Sequence, residues 1–263
     1  MDVNAASAGS GDITFSGNIG ASGGSAQPGV VGTTAIGTTT TENVHFAGSV
    51  YSFDGGTTTF TATTDSDGSG DDENIEVGAT VEFKAAGTET LTFAGGKIDL
   101  ADGANLTINN TNGAIVVSGV AGHSDETVTI NAGTSTVSLG AVGDSGHTQI
   151  HNLTVTGDGG ITLTGNIYTS ADATTTADIT FNDTVKIDGT VLIDSDDTAR
   201  DGTITFTTGI EGVDGSGDNL TIEGGTAAIT LQPIGVNQAL TTLTIGADST
   251  STAVITLSLI HIS

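Results

Sequence analysis

Leu106-Thr107-Ile108, Val128-Thr129-Ile130 and Leu153-Thr154-Val155 repeat one phrase, apolar, Thr, apolar, and Leu220-Thr221-Ile222 and Leu243-Thr244-Ile245 repeat it again. The steps from Thr107 to Thr129, from Thr129 to Thr154 and from Thr221 to Thr244 are nearly equal. Self-similarity at a period of about twenty to fifty residues is the mark of a solenoid. Thr, Val and Ile are stiff at χ1 and suit a pleated surface, so each triplet reads as a strand. Alternation then sends the outer two side chains inward and Thr outward. The expected fold is all-β, a parallel β-solenoid with coils of about 22–25 residues.

A longer offset encloses the short one. Leu91-Thr92-Phe93 with Lys97-Ile98-Asp99 returns as Ile179-Thr180-Phe181 with Lys186-Ile187-Asp188. Val128-Thr129-Ile130 returns at a closely similar offset as Leu220-Thr221-Ile222. Read as whole coils, this is duplication of a four-coil block. The expected organisation is irregular coils over 1–73 with a Gly/Ser/Thr-rich loop at 20–43, then two blocks of about 90 residues over 74–256.

Composition agrees with strands joined by tight turns. The chain has 263 residues with 40 Gly, 2 Pro, no Trp and no Cys. Asp102-Gly103, Asp158-Gly159-Gly160, Asp188-Gly189 and Asp201-Gly202 fall between strand signals, where Gly supplies left-handed angles and Asp tolerates them. One coil buries about five aliphatic side chains at about 1.5–3 kcal/mol each. Ordering its backbone costs roughly 1–2 kcal/mol per residue. A lone coil cannot fold; stacking supplies the ladders and the shared interior.

Net charge is −27, with Lys84, Lys97, Lys186 and Arg200 the only Lys and Arg side chains. Nucleic acid and anionic membranes need clustered Lys and Arg, so neither is an expected partner. No apolar run approaches the length that spans a bilayer, and no basic leader precedes one, so membrane insertion by this segment is not expected. Leu257 to Ser263 breaks the Gly/Asp rhythm and looks like the translation of a transposase mosaic-end adapter. Residues 257–263 are therefore expected to be a non-native tail on a fragment of a longer chain.

Gly11-Asp12-Ile13-Thr14-Phe15, Ala177 to Val185 and Leu240 to Ile245 resemble the repeat arrays of very large bacterial surface proteins, of the filamentous haemagglutinin and autotransporter adhesin type. The resemblance covers about residues 74–256 and rests on low-specificity motifs. It implies a right-handed parallel β-helix, an extracellular stalk or passenger at a bacterial surface, and a host or environmental surface ligand. The neighbouring coils of the longer chain would be its packing partners. Tandem immunoglobulin-like adhesin domains binding Ca²⁺ are the competing fold, since a block of about 90 residues also fits a sandwich.

Candidate chemistry is sparse. Asp65, Asp67, Ser69, Glu73 and Glu76 occupy positions one, three, five, nine and twelve of a calcium-loop spacing, with Gly70 at six. They are the expected Ca²⁺ ligands, although no helix flanks them. Asp194, Asp196, Asp197 and Asp201 form a second acidic cluster, with Arg200 inside it. His147 and His151 have an i, i+4 spacing that would serve zinc on a helix, but they lie between strand signals and read as turn residues. His45 and His123 are isolated in the sequence. A polysaccharide-active β-helix enzyme is an alternative. It needs paired carboxylates, or carboxylates holding Ca²⁺ beside a base, and the chain offers few basic or aromatic side chains to build one. The expectation is that the protein is not an enzyme. Outward Thr rows raise an ice-binding reading, for which the expected ladder is Thr-x-Thr on one face of every coil. Thr57-Thr58-Thr59-Phe60-Thr61 has that character, whereas most coils offer a single outward Thr that β-propensity explains.

Overall fold

The computed structural model describes residues 2–3, 11–20, 30–39, 41–62, 74–123, 125–144, 149–170, 176–195, 201–246 and 255–257. Among them there is no helix, and every named strand pair is parallel. Parallel pairing of strands that follow one another around an axis is a β-solenoid. It excludes the antiparallel immunoglobulin-like sandwich.

Each coil visits three faces. Face C is a ten-stranded sheet that includes Val81–Ala85, Leu106–Asn110, Thr127–Asn131, Asn152–Thr156, Ile179–Phe181, Ile204–Phe206, Ile229–Leu231 and Ile255–Leu257. Face A follows in each coil, with Thr34–Ile36, Thr58–Ala62, Leu91–Gly95, Ile161–Leu163 and Val185–Ile187. Face B closes the coil, with Ile13–Phe15, Val44–Phe46, Asn74–Val77, Lys97–Leu100, Thr190–Asp194, Asn219–Glu223 and Thr242–Ile245. Ile115–Ala121 and Val137–Val142 run through the A–B corner and pair on both sides of it.

The register expected from the triplets is present. Ile108 pairs with Ile130, and Ile130 with Val155. Strands alternate between buried and half-buried positions along most of the stack, and one hydrophobic cluster runs continuously from Ile13 to Ile234. The N-terminal coils fill that interior with rings. Phe83 packs against Phe46, Tyr51, Phe60 and Phe93 at centroid distances of 4.9, 5.4, 5.4 and 5.1 Å. From Leu106 to Ile167 the buried hydrophobic side chains are all aliphatic, and Phe181 and Phe206 then stack at 5.2 Å.

The long offset has a different origin from the one its arithmetic suggests. Thr129 lies on face C but Thr221 on face B, and Leu91–Gly95 lies on face A but Ile179–Phe181 on face C. The offset therefore spans three whole coils and two further faces. The apolar-Thr-apolar phrase reads alike on all three faces, so the triplet names a strand without naming its face.

From Leu106 onward the outward column of face C is uniform. Thr107, Thr129, Thr154, Thr180, Thr205, Thr230 and Thr256 are paired rung to rung.

Candidate functional site

The outward column of face B differs in kind. Thr14 pairs with His45, His45 with Glu76, and Glu76 with Asp99. The sequence steps from Thr14 to His45 and from His45 to Glu76 are equal, and both are longer than the step from Glu76 to Asp99. His45 Nδ1 contacts Glu76 Oε2, and its Nε2 stands 4.0 Å from Asp12 Oδ2. A cavity of about 540 Å³ opens here, lined by Thr14, His45, Glu76, Asp99 and Ala101, with His123 at its edge. Burial raises the Glu76 carboxyl above its ordinary value. His45 offsets part of that, and Asp99 and Asp12 add to it. The arrangement can hold and pass a proton between an imidazole and carboxylates.

A second acidic cluster sits at the adjoining corner. Oxygens of Asp102, Asp125 and Glu126 lie within 4.8 Å of one another. Glu126 is fully buried. Its Oε1 accepts from Gly103 N–H at 3.1 Å, and its Oε2 accepts from His123 N–H at 2.6 Å and Asp125 N–H at 3.3 Å. Asp125 Oδ1 accepts from the same Gly103 N–H at 3.0 Å. Burial, reinforced by Asp125, raises the Glu126 carboxyl; the hydrogen bond with Glu126, and then that from Gly103, lower Asp125. Three carboxylates suit a hard divalent cation. Here Asp125 Oδ1 and both Glu126 oxygens accept backbone amides, that of Gly103 from the coil before among them, which makes the cluster a clamp between successive coils.

The same device recurs. Buried Asp218 accepts from Gly189 N–H at 3.3 Å in the coil before, and from Asp214 and Gly215 N–H at 3.2 and 3.0 Å. Burial works against its ionisation, but those amides together with Val213 prevail and hold the carboxyl below its ordinary range. Asp178 accepts from Thr203 N–H at 2.8 Å, and Asp201 from Thr226 N–H at 2.5 Å. Corner acids thus satisfy amides that the ladders leave unpaired.

The expected calcium ligands divide. Asp65, Asp67, Ser69 and Glu73 lie outside the described residues. Glu76 belongs to the strand Asn74–Val77, paired on both sides, and faces His45. Of the second sequence cluster, Asp196, Asp197 and Arg200 lie outside the described residues. Asp194 is a face B rung between Tyr168 and Glu223, and Asp201 is one of the clamps. Ser195 Oγ–H donates to Gly202 O at 2.6 Å and Gly202 N–H donates to Ser195 O at 3.0 Å. His147 lies outside the described residues, and His151 is buried with its N–H on Glu126 O at 2.8 Å.

Sequence reading missed the column joining Asp12, His45, Glu76 and Asp99, and it missed the Asp102, Asp125, Glu126 clamp. The only signal was the coil period, which places Asp125 one coil after Asp102. Among the described residues, no helix is long and apolar enough to cross a membrane. No family model matches the chain, and no curated protein or solved structure does.

Proposed function

We propose that this chain is a non-enzymatic structural segment, a stalk or passenger portion of a large extracellular bacterial surface adhesin. The observation that supports the reading is the continuous interior from Ile13 to Ile234, stacked in parallel register. A parallel stack lengthens by about 4.8 Å for each added coil, so its length grows in proportion to coil number while its cross-section stays the same. That is the mechanics of a spacer. The high negative charge keeps such a surface soluble and separates neighbouring copies.

Rod geometry and attachment are tested together. Small-angle scattering of the purified chain should give an elongated particle, and a compact particle would overturn the stalk reading. Deleting residues 65–73 and 196–200 separates two roles. Loss of cell attachment with unchanged folding makes the segment adhesive, whereas unchanged attachment leaves it a spacer. The first deletion ends at 73 because Asn74–Val77 is a paired strand.

A further inference from the structure

The sequence credits most coils with one isolated outward Thr, and the structure places those threonines in register. The face C ladder from Thr107 to Thr256 is seven rungs long. A second polar column runs beside its first rungs, two residues further along the strands. Asn109 pairs with Asn131 and Asn131 with Thr156, and Asn182 Nδ2 donates to Thr156 Oγ1 at 3.1 Å. Over those coils the surface is a two-dimensional lattice, about 4.8 Å between rungs and about 6.7 Å between columns, and beyond them the threonine column continues. Its threonines are held by rungs above and below and are stiff at χ1, so little side-chain freedom is lost when the face is covered.

Charge decides what can cover it. The chain carries −27 overall, yet from Leu106 to Leu257 no outward position within a face C strand is charged. The ladder begins just past the coil that holds the Lys84–Glu82 pair. A charged partner would find no counter-charge on these strands. Sugars are commonly gripped by outward aromatic rings, but Phe181 and Phe206 of this face point inward and are fully buried. The ladder itself is uncharged, rigid and hydroxyl-bearing, and the acid beside its middle rung, Asp178, accepts through its Oδ1 from Thr203 N–H and Oγ–H at 2.8 and 2.9 Å.

We propose that the Thr107–Thr256 face of the solenoid binds ordered water at the surface of ice. Hexagonal ice offers neutral hydrogen-bonding oxygens repeating in two directions at spacings comparable to those of a strand lattice. Each Thr contributes weakly, and seven rungs act together because the fold fixes them relative to one another.

The test is ice-affinity partition and thermal hysteresis of the purified chain. The wild type should concentrate in slowly grown ice and show hysteresis. Thr180→Tyr, which raises a ring from mid-ladder, should lose both with an unchanged melting curve. Thr92→Tyr, outward on face A, should lose neither. If Thr180→Tyr fails to fold, Thr180→Val keeps the shape without the hydroxyl and should weaken partition. Exclusion of the wild type from ice overturns the proposal. So does partition insensitive to both Thr180 variants, or retention on an insoluble neutral glycan without any ice affinity.

Discussion

Face C from Thr107 onward and face B from Asp12 to Asp99 are walls of one stack with opposite surfaces. One shows a neutral hydroxyl ladder, the other a histidine among carboxylates. Behind both walls the interior is alike. Ile108, Ile130 and Val155 are buried behind the first, and Phe46, Val77 and Leu100 behind the second. Inward positions are fixed by packing, which favours apolar groups of suitable volume and admits few polar ones, such as Thr58 and Asn110. Outward positions carry whatever chemistry the surface uses, because alternation separates the two sets within each strand. The surfaces can therefore diverge without disturbing the stack.

The sharpest way to break the comparison is to damage the shared interior. Phe83→Ala removes a ring that touches four others, and should cost about 3–5 kcal/mol. Ile130→Ala, in the aliphatic stretch, should cost about 2–5 kcal/mol. Urea unfolding followed by circular dichroism measures both. Each variant should shift one common transition to lower urea. Two separate transitions would mean that the aromatic and aliphatic coils fold as independent units.

A turn substitution comes next. Gly133 has φ of +54°, and a Cβ there would collide with the backbone oxygen of Thr111. Gly133→Ala should destabilise by at least about 1–2 kcal/mol for the left-handed angle alone, with the backbone contact adding to it. The same denaturation experiment reads it, and a neutral result would show that the turn can move.

Acid separates the two walls further. Glu76 and Glu126 titrate above their ordinary value of 4.5, so the native state binds protons that the unfolded state releases. Their effect is to favour the native state as pH falls through their raised values toward 4.5. Asp218 and Asp125 titrate below 3.8; the stability they contribute is present above that value and fades as pH drops through their lowered ones. The melting temperature should therefore rise on mild acidification and fall in strong acid. Glu126→Gln should flatten part of the mild-acid rise. An unchanged slope in that variant would remove the shared Glu126–Asp125 proton from the account.

How much of this was legible varied with the kind of information. The period was, because Thr107, Thr129 and Thr154 sit on one face at nearly one spacing, and the inward register of Ile108, Ile130 and Val155 followed. The face of each strand was not, since Leu220 and Leu243 carry the phrase of face C but pair on face B. For the same reason the four later ladder threonines, in Ile-Thr-Phe and Ile-Thr-Leu triplets, were not assigned to face C. The His45 column was obscured because the coils that join Thr14 to His45 and His45 to Glu76 are longer than the period of the triplets. Asp102 was read as a turn residue alone because the contact that joins it to Asp125 and Glu126 runs across coils.

The smallest expected effect concerns the ladder itself. Thr129 is half-buried, between Thr107 and Thr154. Thr129→Val keeps the β-branch that suits a strand and removes only an outward hydroxyl, so stability should change by no more than about 0.5 kcal/mol. A larger loss would mean that the hydroxyls bond along the column and hold the stack together. A small one leaves the row of threonines unexplained by folding, since Val satisfies the same backbone, and points to selection for what lies outside the wall.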